Sequence, residues 1–327
     1  VKVLFVTPYF PTIERPYVSP FIERLYYGLK QEVDVDLYHF EAKRKLSNYL
    51  KARKEIKQLL KTNTYDIVHI NWGQTISVIP FFIQSKIVVS FRGSDVYGVL
   101  TSQGKHNYIS KLVQMVSSFA SFRSSANIYV SHQIKSFFKA SKPSKVIPSG
   151  IDIQYKPKKS KVVLRTKLGI KESEIIILFV GNTKNVGKRY FMAEQLVNAL
   201  KEKNHNIRLV QVWGKTPKEV FEHMTAADFL LQTSQQEGSP NVVKEALACN
   251  LSIISTPVGD TTERIGHLNT CYLSQDLSYN SVLAAANTAL EEFTQNREND
   301  FSNEIHKFSL EQEIAQVQEV YRKVLLD

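Results

Sequence analysis

Short runs of aliphatic and β-branched residues recur along the chain, separated by longer stretches in which apolar positions return every three or four residues. The first pattern suits strands buried on both faces and the second suits amphipathic helices. Their alternation predicts parallel strands joined by helical crossovers. In the first half, strands are predicted from Val1 to Thr7, Val33 to His39, Ile67 to Ile70, Ile87 to Phe91, Asn127 to Val130 and Val146 to Pro148. A Lys/Pro-rich stretch from Tyr155 to Lys161 then reads as an interdomain linker. The alternation restarts with Ile175 to Val180, Ile207 to Trp213, Phe229 to Thr233 and Ser252 to Ser255, and Ser309 caps a final amphipathic helix reaching Leu326. No repeat or low-complexity segment interrupts this order, which predicts two doubly wound α/β domains. Ligands of such sheets bind outside the carboxyl ends of the strands, so the active site is expected in a cleft between the domains.

Composition changes this picture little. The 327 residues suffice for two cores, and 43% hydrophobic with 22% charged residues is the balance of a soluble globular protein. No apolar run approaches the length of about 18 residues that spans a bilayer, and the first strand is too short to be a leader, so the expected compartment is the cytoplasm. Cys249 and Cys271 have no metal-ligand or redox spacing and read as small core residues. Charge is more informative. Val1 to Gly150 holds 21 Lys and Arg against 9 Asp and Glu, a net +12, and the remainder holds 21 against 22, a net −1. A basic first half suits an anionic partner.

The chemistry concentrates in the second half. After the strand ending at Val180 comes Gly181-Asn182-Thr-Lys184-Asn-Val-Gly187-Lys188-Arg189, a cationic turn where a strand hands over to a helix. Lys184, Lys188 and Arg189 could neutralise a phosphate leaving group there, although each alone also reads as a solvated loop cation. After the strand ending near Thr233 comes Glu237-Gly238-Ser239-Pro240-Asn241-Val242-Val-Lys-Glu245. Ser239 is expected to cap a helix opened by Pro240, turning the amides of Asn241 to Val243 toward the cleft. Glu237 then lies before the helix and Glu245 about 1.5 turns inside it, so the two carboxylates have separate tasks. Asp34-Val-Asp36 has the spacing of a metal-binding pair but reads as a solvated strand end.

With Glu237 to Glu245, the segments Tyr65 to His69, Val89 to Val96, Val146 to Asp152, Phe179 to Gly181, Ala227-Asp228 and Val258 to Asp260 fall in one order. In that order the chain resembles the retaining glycosyltransferases of family 4, the glycosyl transferases group 1. The resemblance implies the GT-B fold: two facing Rossmann-like, doubly wound parallel-sheet domains with an interdomain cleft and a C-terminal helix crossing back to the first. It implies an acceptor-side domain of residues 1–152 with helix 309–327, and a donor-binding domain of residues 153–308. Glu245 would then bind the ribose hydroxyls, Glu237 the donor sugar near its reacting centre, and Lys188 the phosphates. Gly181, Asn182, Lys184, Arg189, Gly238, Ser239, Asn241 and Val242 would complete the donor site, with Asn182 standing where the family commonly has arginine. The reaction would transfer a sugar, with retention and without a metal, from a nucleotide sugar, expected to carry UDP. That donor is a co-substrate, and no cofactor is expected.

On the acceptor side the chain departs from the family. Its loop from Arg15 to Phe21 contains Ser19 and Pro20 but no glycine, and Arg92 of Phe91-Arg-Gly-Ser-Asp95 replaces a histidine. Arg92 is expected as a third catalytic residue binding phosphate or carboxylate, or else as a structural partner of Asp95. Ser19, His69 and Asp95 are acceptor-side candidates, with His69 equally readable as a core histidine and His132 as a surface one. The segment Lys43 to Lys61 carries eight cations around an apolar stripe and suggests a helix resting on anionic lipid headgroups. The expected acceptor is a glycan or lipid-linked acceptor of surface polysaccharide synthesis. A nucleotide-sugar epimerase or glycan phosphorylase on the same fold, and a basic nucleic-acid-binding protein, are the alternatives. The cations lack the aromatic interleaving of an RNA-binding surface, so no nucleic-acid partner is expected.

Overall fold

Both series of apolar runs form fully parallel sheets in a computed structural model of the chain. The structure describes residues 1–42, 45–98, 100–101, 103–139, 142–203, 206–294 and 299–326. Two compact units emerge: Val1–Thr101 with Lys105–Gly150 and Leu310–Asp327, and Ser102–Gly104 with Ile151–Ser309.

The first unit contains β1 (Lys2–Thr7), β2 (Asp34–His39), β3 (Ile67–Asn71), β4 (Lys86–Phe91), β5 (Ala126–Tyr129) and β6 (Ser144–Val146), in the order β2-β1-β3-β4-β5-β6. Successive side chains of a strand point to opposite faces. On β1, Val3 and Phe5 enter one core with Leu25, Leu29 and Val320, while Leu4 and Val6 enter another with Ala52, Ile56 and Ala120. The helices Pro20–Glu32 and Leu310–Leu326 therefore cover one face, and Leu46–Thr62 and Tyr108–Arg123 cover the other. Gly28 permits the first pair to meet, because a Cβ there would lie 2.2 Å from Ile314 Cδ1. Asp36 accepts from Tyr65 Oη at 2.8 Å, while Asp34 is exposed at the strand start. His132 is exposed.

The second unit contains β7 (Ile175–Val180), β8 (Ile207–Val212), β9 (Phe229–Gln232), β10 (Ser252–Ser255) and β11 (Cys271–Leu273), in the order β11-β10-β9-β7-β8. Ile176 and Leu178 of β7 face Phe221, Val243 and Leu247, while Ile177 and Phe179 face Leu196, Leu200 and Val282. At the opposite edge from the catalytic candidates, buried Asp228 accepts from Ile176 N and from Lys161 Nζ, both at 2.7 Å, and pairs with Arg165. Burial pushes both cysteine thiols up to about 12.

Three local expectations change. β6 lies two residues earlier than predicted, with Ile147 N still bonded to Tyr129 O at 2.8 Å before Pro148 ends the ladder. β11 is an unpredicted edge strand, too short for a periodic pattern. The stretch Tyr155 to Lys161 belongs to the second unit rather than forming a linker: Tyr155 packs on its core and Lys161 is held by Asp228.

On β3, fully buried His69 places Nδ1 2.6 Å from Tyr321 Oη of the terminal helix and Nε2 2.8 Å from Ser90 Oγ of β4. Burial, reinforced by the charge of Arg92, pushes its pKa down to about 3. Below the ordinary histidine value of about 6.5 the unfolded chain gains a proton that the folded protein refuses, so stability falls with pH by up to about 1.4 kcal/mol per unit. Between about pH 6.5 and 5 the wild type should lose about 1.5 kcal/mol more than His69→Gln. Urea unfolding followed by Trp72 fluorescence in a Trp213→Phe background reads the difference, and parallel pH profiles would refute it.

Candidate functional site

The crevice of an open parallel sheet lies where neighbouring strands send their crossovers in opposite directions. In the second unit that point falls between β7 and β9. The loops leaving these two strands carry the candidates Gly181 to Arg189 and Glu237 to Glu245.

The two loops are tied together. Gln235 N donates to Gly187 O at 2.7 Å, and Thr233 Oγ1 donates to Lys188 O at 2.8 Å and Arg189 O at 3.1 Å. Asn182 closes its own turn, accepting Lys184 N at 2.9 Å, and Asn185 does the same for Gly187 N at 3.0 Å. Lys184 stays exposed. Lys188 reaches across to Glu237, with Nζ 2.6 Å from Oε1, and Ser234 Oγ donates to the same oxygen at 2.9 Å. The pair is about four-fifths buried, so Lys188 and Glu237 orient each other at the strand ends.

Arg189 takes a different course. Its backbone is left-handed, with φ 52°, and its guanidinium turns inward onto main-chain carbonyls of Thr233, Ser234 and Leu277, the last at 2.6 Å. Burial lowers its pKa from the ordinary value. The side chain expected at a phosphate instead clamps the loop after β9.

The helix after that loop spans Asn241–Ala248 and begins one residue later than expected. Pro240 is its N-cap residue with ψ 114°, and Ser239 does not cap it. Ser239 Oγ instead donates to Asp260 Oδ2 at 2.8 Å and accepts from fully buried Lys244 Nζ at 3.2 Å. Asp260, which sequence reasoning left without a role, also receives Arg264 Nε at 2.6 Å. Gly259 is required beside it: φ is +61°, and a Cβ would lie 2.8 Å from Gly238 O. Asn241 and Glu245, four residues apart, share one face of the helix, and Val242 follows at its first turn. Asn241 Oδ1 and Asp260 Oδ1 are buried without a hydrogen-bond partner among the described residues.

In the first unit the acceptor-side candidates divide. Arg92 has a nearly inaccessible side chain, bonded to Asn71 Oδ1 at 2.8 and 3.2 Å, Ser149 Oγ at 3.1 Å and Glu313 Oε1 at 3.4 Å. Glu313 Oε2 in turn accepts Gly150 N at 2.7 Å. The guanidinium thus joins the end of β3 to the terminal helix. Burial lowers its pKa, opposed by Glu313. Asp95 is also fully buried, accepting the amides of Gly73 and Gly93 at 2.8 Å and Arg92 at 3.1 Å, and burial raises its pKa against those bonds. These residues and His69 organise the loops instead of lining an open surface. Ser19 has a left-handed backbone, φ 50°, at the start of helix Pro20–Glu32. Next to it a cavity of about 400 Å³ opens at the ends of β1 and β2, lined by residues including Tyr9, Phe10, Arg15, Val18, His39 and Glu41. Arg15 pairs with Glu41, and burial lowers the pKa of His39. Tyr9, Phe10 and His39 had no motif to mark them.

A parallel sheet bearing a cation, two carboxylates and a helix start at its switch point has the chemistry to hold an anionic, hydroxyl-bearing ligand. Residues 156–292 match the family model Glycosyl transferases group 1. The chain is 22% identical over 311 residues to the N-acetyl-alpha-D-glucosaminyl L-malate synthase of Bacillus anthracis, covering 85% of this chain and 80% of that protein. It is similar in structure to sucrose-phosphate synthase from Thermosynechococcus elongatus, with TM-score 0.79, 15% identity and 100% coverage of both chains. It also resembles Anabaena HepE in complex with UDP-glucose, with TM-score 0.70, 15% identity and coverage of 98% of this chain and 99% of that one. The fold is GT-B, and within it residues 156–292 carry the match to the glycosyl transferases group 1.

The clamp by Arg189 has a measurable consequence. Arg189→Met leaves carbonyls of Thr233, Ser234 and Leu277 without their cationic donor and should cost about 2 kcal/mol. Arg189→Lys should recover only part of this, because a single ammonium cannot reproduce the fork. Chemical unfolding followed by Trp213 tests both, and an unchanged midpoint in Arg189→Met would refute the clamp.

Proposed function

We propose that the protein transfers a sugar from a nucleotide diphosphate sugar, with UDP as the nucleotide, to a glycan or lipid-linked acceptor with retention of configuration. The observation that carries this reading is the convergence of Lys188, Glu237 and the helix Asn241–Ala248 on the switch point of the second sheet. HepE, a structural relative, binds UDP-glucose.

In this reading the pyrophosphate lies against the amides of Asn241 and Val242, whose helix start favours negative charge, with Lys188 as the neutralising cation. Gly181, Asn182 and Gly238 shape the backbone around it, and Lys184 adds charge from the open side. Glu245, on the same helix face as Asn241, receives the ribose hydroxyls. Glu237, oriented by Lys188 and Ser234, receives donor-sugar hydroxyls, and the unpartnered oxygens of Asn241 and Asp260 suit a hydroxyl-rich ligand. The bond between the anomeric carbon and the phosphate oxygen breaks, and the acceptor oxygen bonds to the same face of that carbon. The acceptor proton passes to the departing phosphate, giving UDP and the glycoside. Neither a metal nor a protein nucleophile is assigned a role. The cavity beside Ser19, with Tyr9 and Phe10 for stacking and Arg15 and His39 for polar contacts, is the candidate acceptor subsite. Arg92 is a positioning residue that acts through Asn71 and Ser149.

Surface polysaccharide synthesis at the cytoplasmic face of a membrane is the setting that fits the charge. Lys51, Lys54, Lys57 and Lys61 are exposed on helix Leu46–Thr62, whose buried side is Ala52 and Ile56. Lys43 and Arg44 lie outside the described residues. These cations suit anionic headgroups.

Titration calorimetry with UDP should give an affinity on the order of tenfold to a hundredfold weaker for Glu245→Ala, the loss expected for charge-assisted bonds to ribose. Unchanged affinity would remove the ribose role. Incubation with UDP-sugars in the presence of a chelator should yield UDP and a glycoside whose anomeric proton coupling matches the donor. An inverted product would overturn retention, and an epimerised donor without UDP release would mark an epimerase.

A further inference from the structure

The helix Tyr108–Arg123 is turned inside out. Its buried residues are Ser110, Ser117, Ala120 and Ser121. This small-residue face fits closely: Ser117 Oγ donates to Asp95 O at 2.7 Å, and a Cβ on Gly73 would lie 2.5 Å from that hydroxyl. The outward face carries Tyr108, Leu112, Met115, Phe119 and Phe122, between 46% and 80% exposed. At this spacing they form one stripe about 20 Å long. Packing within the unit accounts for the serines and leaves the large apolar side chains in water.

The stripe continues beyond the helix. Arg123 donates to the carbonyls of Pro80 and Phe81 and lies 5.3 Å from the Phe81 ring, which meets Phe82 edge-on at 5.0 Å. Both phenylalanines are exposed, Phe82 by 89%. From the other side, Arg53 of helix Leu46–Thr62 donates to Ser77 O and Ile79 O at 2.9 and 3.0 Å. The two helices cover the same face of the first sheet, so the lysines of one and the apolar stripe of the other belong to one layer. Between Asp66 and Asp152 the sequence holds nine Lys and Arg but a single carboxylate, Asp95, which is buried under three amide bonds.

We propose that this layer seats the protein in the surface of an anionic phospholipid bilayer, with the stripe of Tyr108–Arg123 and the Phe81–Phe82 pair entering the headgroup boundary and the lysines of Leu46–Thr62 lying over the phosphates. The inference rests on the membrane contact proposed above and deepens it from electrostatic attraction to insertion. Aromatic and aliphatic side chains gain by leaving water at that depth, cations gain from the anionic surface, and the burial of the segment's one carboxylate, Asp95, removes repulsion. A protein partner would have apolar area to cover but no need for such an absence of acids.

The test uses the full chain with vesicles of phosphatidylcholine alone or mixed with phosphatidylglycerol. Binding should require phosphatidylglycerol. The triple variant Leu112→Ser, Met115→Ser, Phe119→Ser should bind about tenfold more weakly or worse, with unchanged melting and UDP affinity. A separate Phe119→Trp variant, which needs no loss of apolar surface, should show blue-shifted emission on the mixed vesicles and quenching by brominated acyl chains. Vesicle binding that vanishes in Lys51→Gln, Lys54→Gln, Lys57→Gln but persists in the serine variant, with no quenching at position 119, would leave the electrostatic contact standing and overturn insertion. A wild type that binds neither vesicle would overturn both. A wild-type dimer that the serine variant converts to monomer, without vesicle binding by either, would assign the stripe to a second copy of this chain and overturn the proposal.

Discussion

The parallel pairing of every strand is the constraint on which the rest depends. A parallel pair needs a crossover, and right-handed crossovers return the chain to the same edge each time. Strand starts therefore gather at one edge of each sheet and strand ends at the other. In the second unit the starting edge is occupied by Asp228, which ties β7 to Lys161 and Arg165. The ending edge receives the loops with Lys188, Glu237 and Asp260. Structural charge and chemical charge are thereby separated by the length of a strand, and the order β11-β10-β9-β7-β8 opens the crevice between the loops that carry the pair.

Within the loops, the physical difference between arginine and lysine decides which cations hold the fold. Arg189 and Arg92 are planar forks with several donors, and each collects several acceptors at once: three carbonyls in one case, and Asn71, Ser149 and Glu313 in the other. Lys188 offers one ammonium, held by one carboxylate that a neighbouring serine also steadies. Exchanging part of that pairing for a phosphate requires the movement of one flexible side chain. Moving either arginine would expose a set of acceptors at once. The loop geometry is therefore set by residues other than those assigned to the ligand, which keeps the site formed while its contacts change.

Much of this was legible in the chain. β7 and β10 have the predicted ends, because six consecutive apolar residues in one and an Ile-Ile pair between serines in the other leave a clear boundary with the polar loops that follow. The strand-to-helix order of Glu237 and Glu245 was equally plain, and the GT-B expectation follows from motifs in that order. What was not legible depends on partners distant in sequence. Ser239 before Pro240 is a good local cap, yet Asp260 and Lys244 take its hydroxyl, and the helix starts a residue later. Arg189 looks like a loop cation until a left-handed backbone turns it inward. His69 and Arg92 are defined by Tyr321 and Glu313, more than two hundred residues away. The cavity at Tyr9, Phe10 and His39 is made where two strand ends meet, and neither strand alone marks it.

The helix Tyr108–Arg123 makes the same point about periodicity. A stripe at helical spacing states that one side differs from the other, but which side faces inward depends on what the neighbours leave room for. Here Gly73 and Asp95 approach Ser117 so closely that the residues fully buried beneath the helix are serine and alanine, and the largest side chains lie on the outside. The close approach serves the loop between β4 and this helix, since Asp95 must be near both Gly73 and Gly93 to accept their amides. One tight contact under the loops around Gly73 and Gly93 thus has two effects. It fixes the backbone around Arg92, and it pushes an apolar surface outward on the face that also carries the lysines of Leu46–Thr62. The placement of the loops and the character of that face are consequences of the same packing.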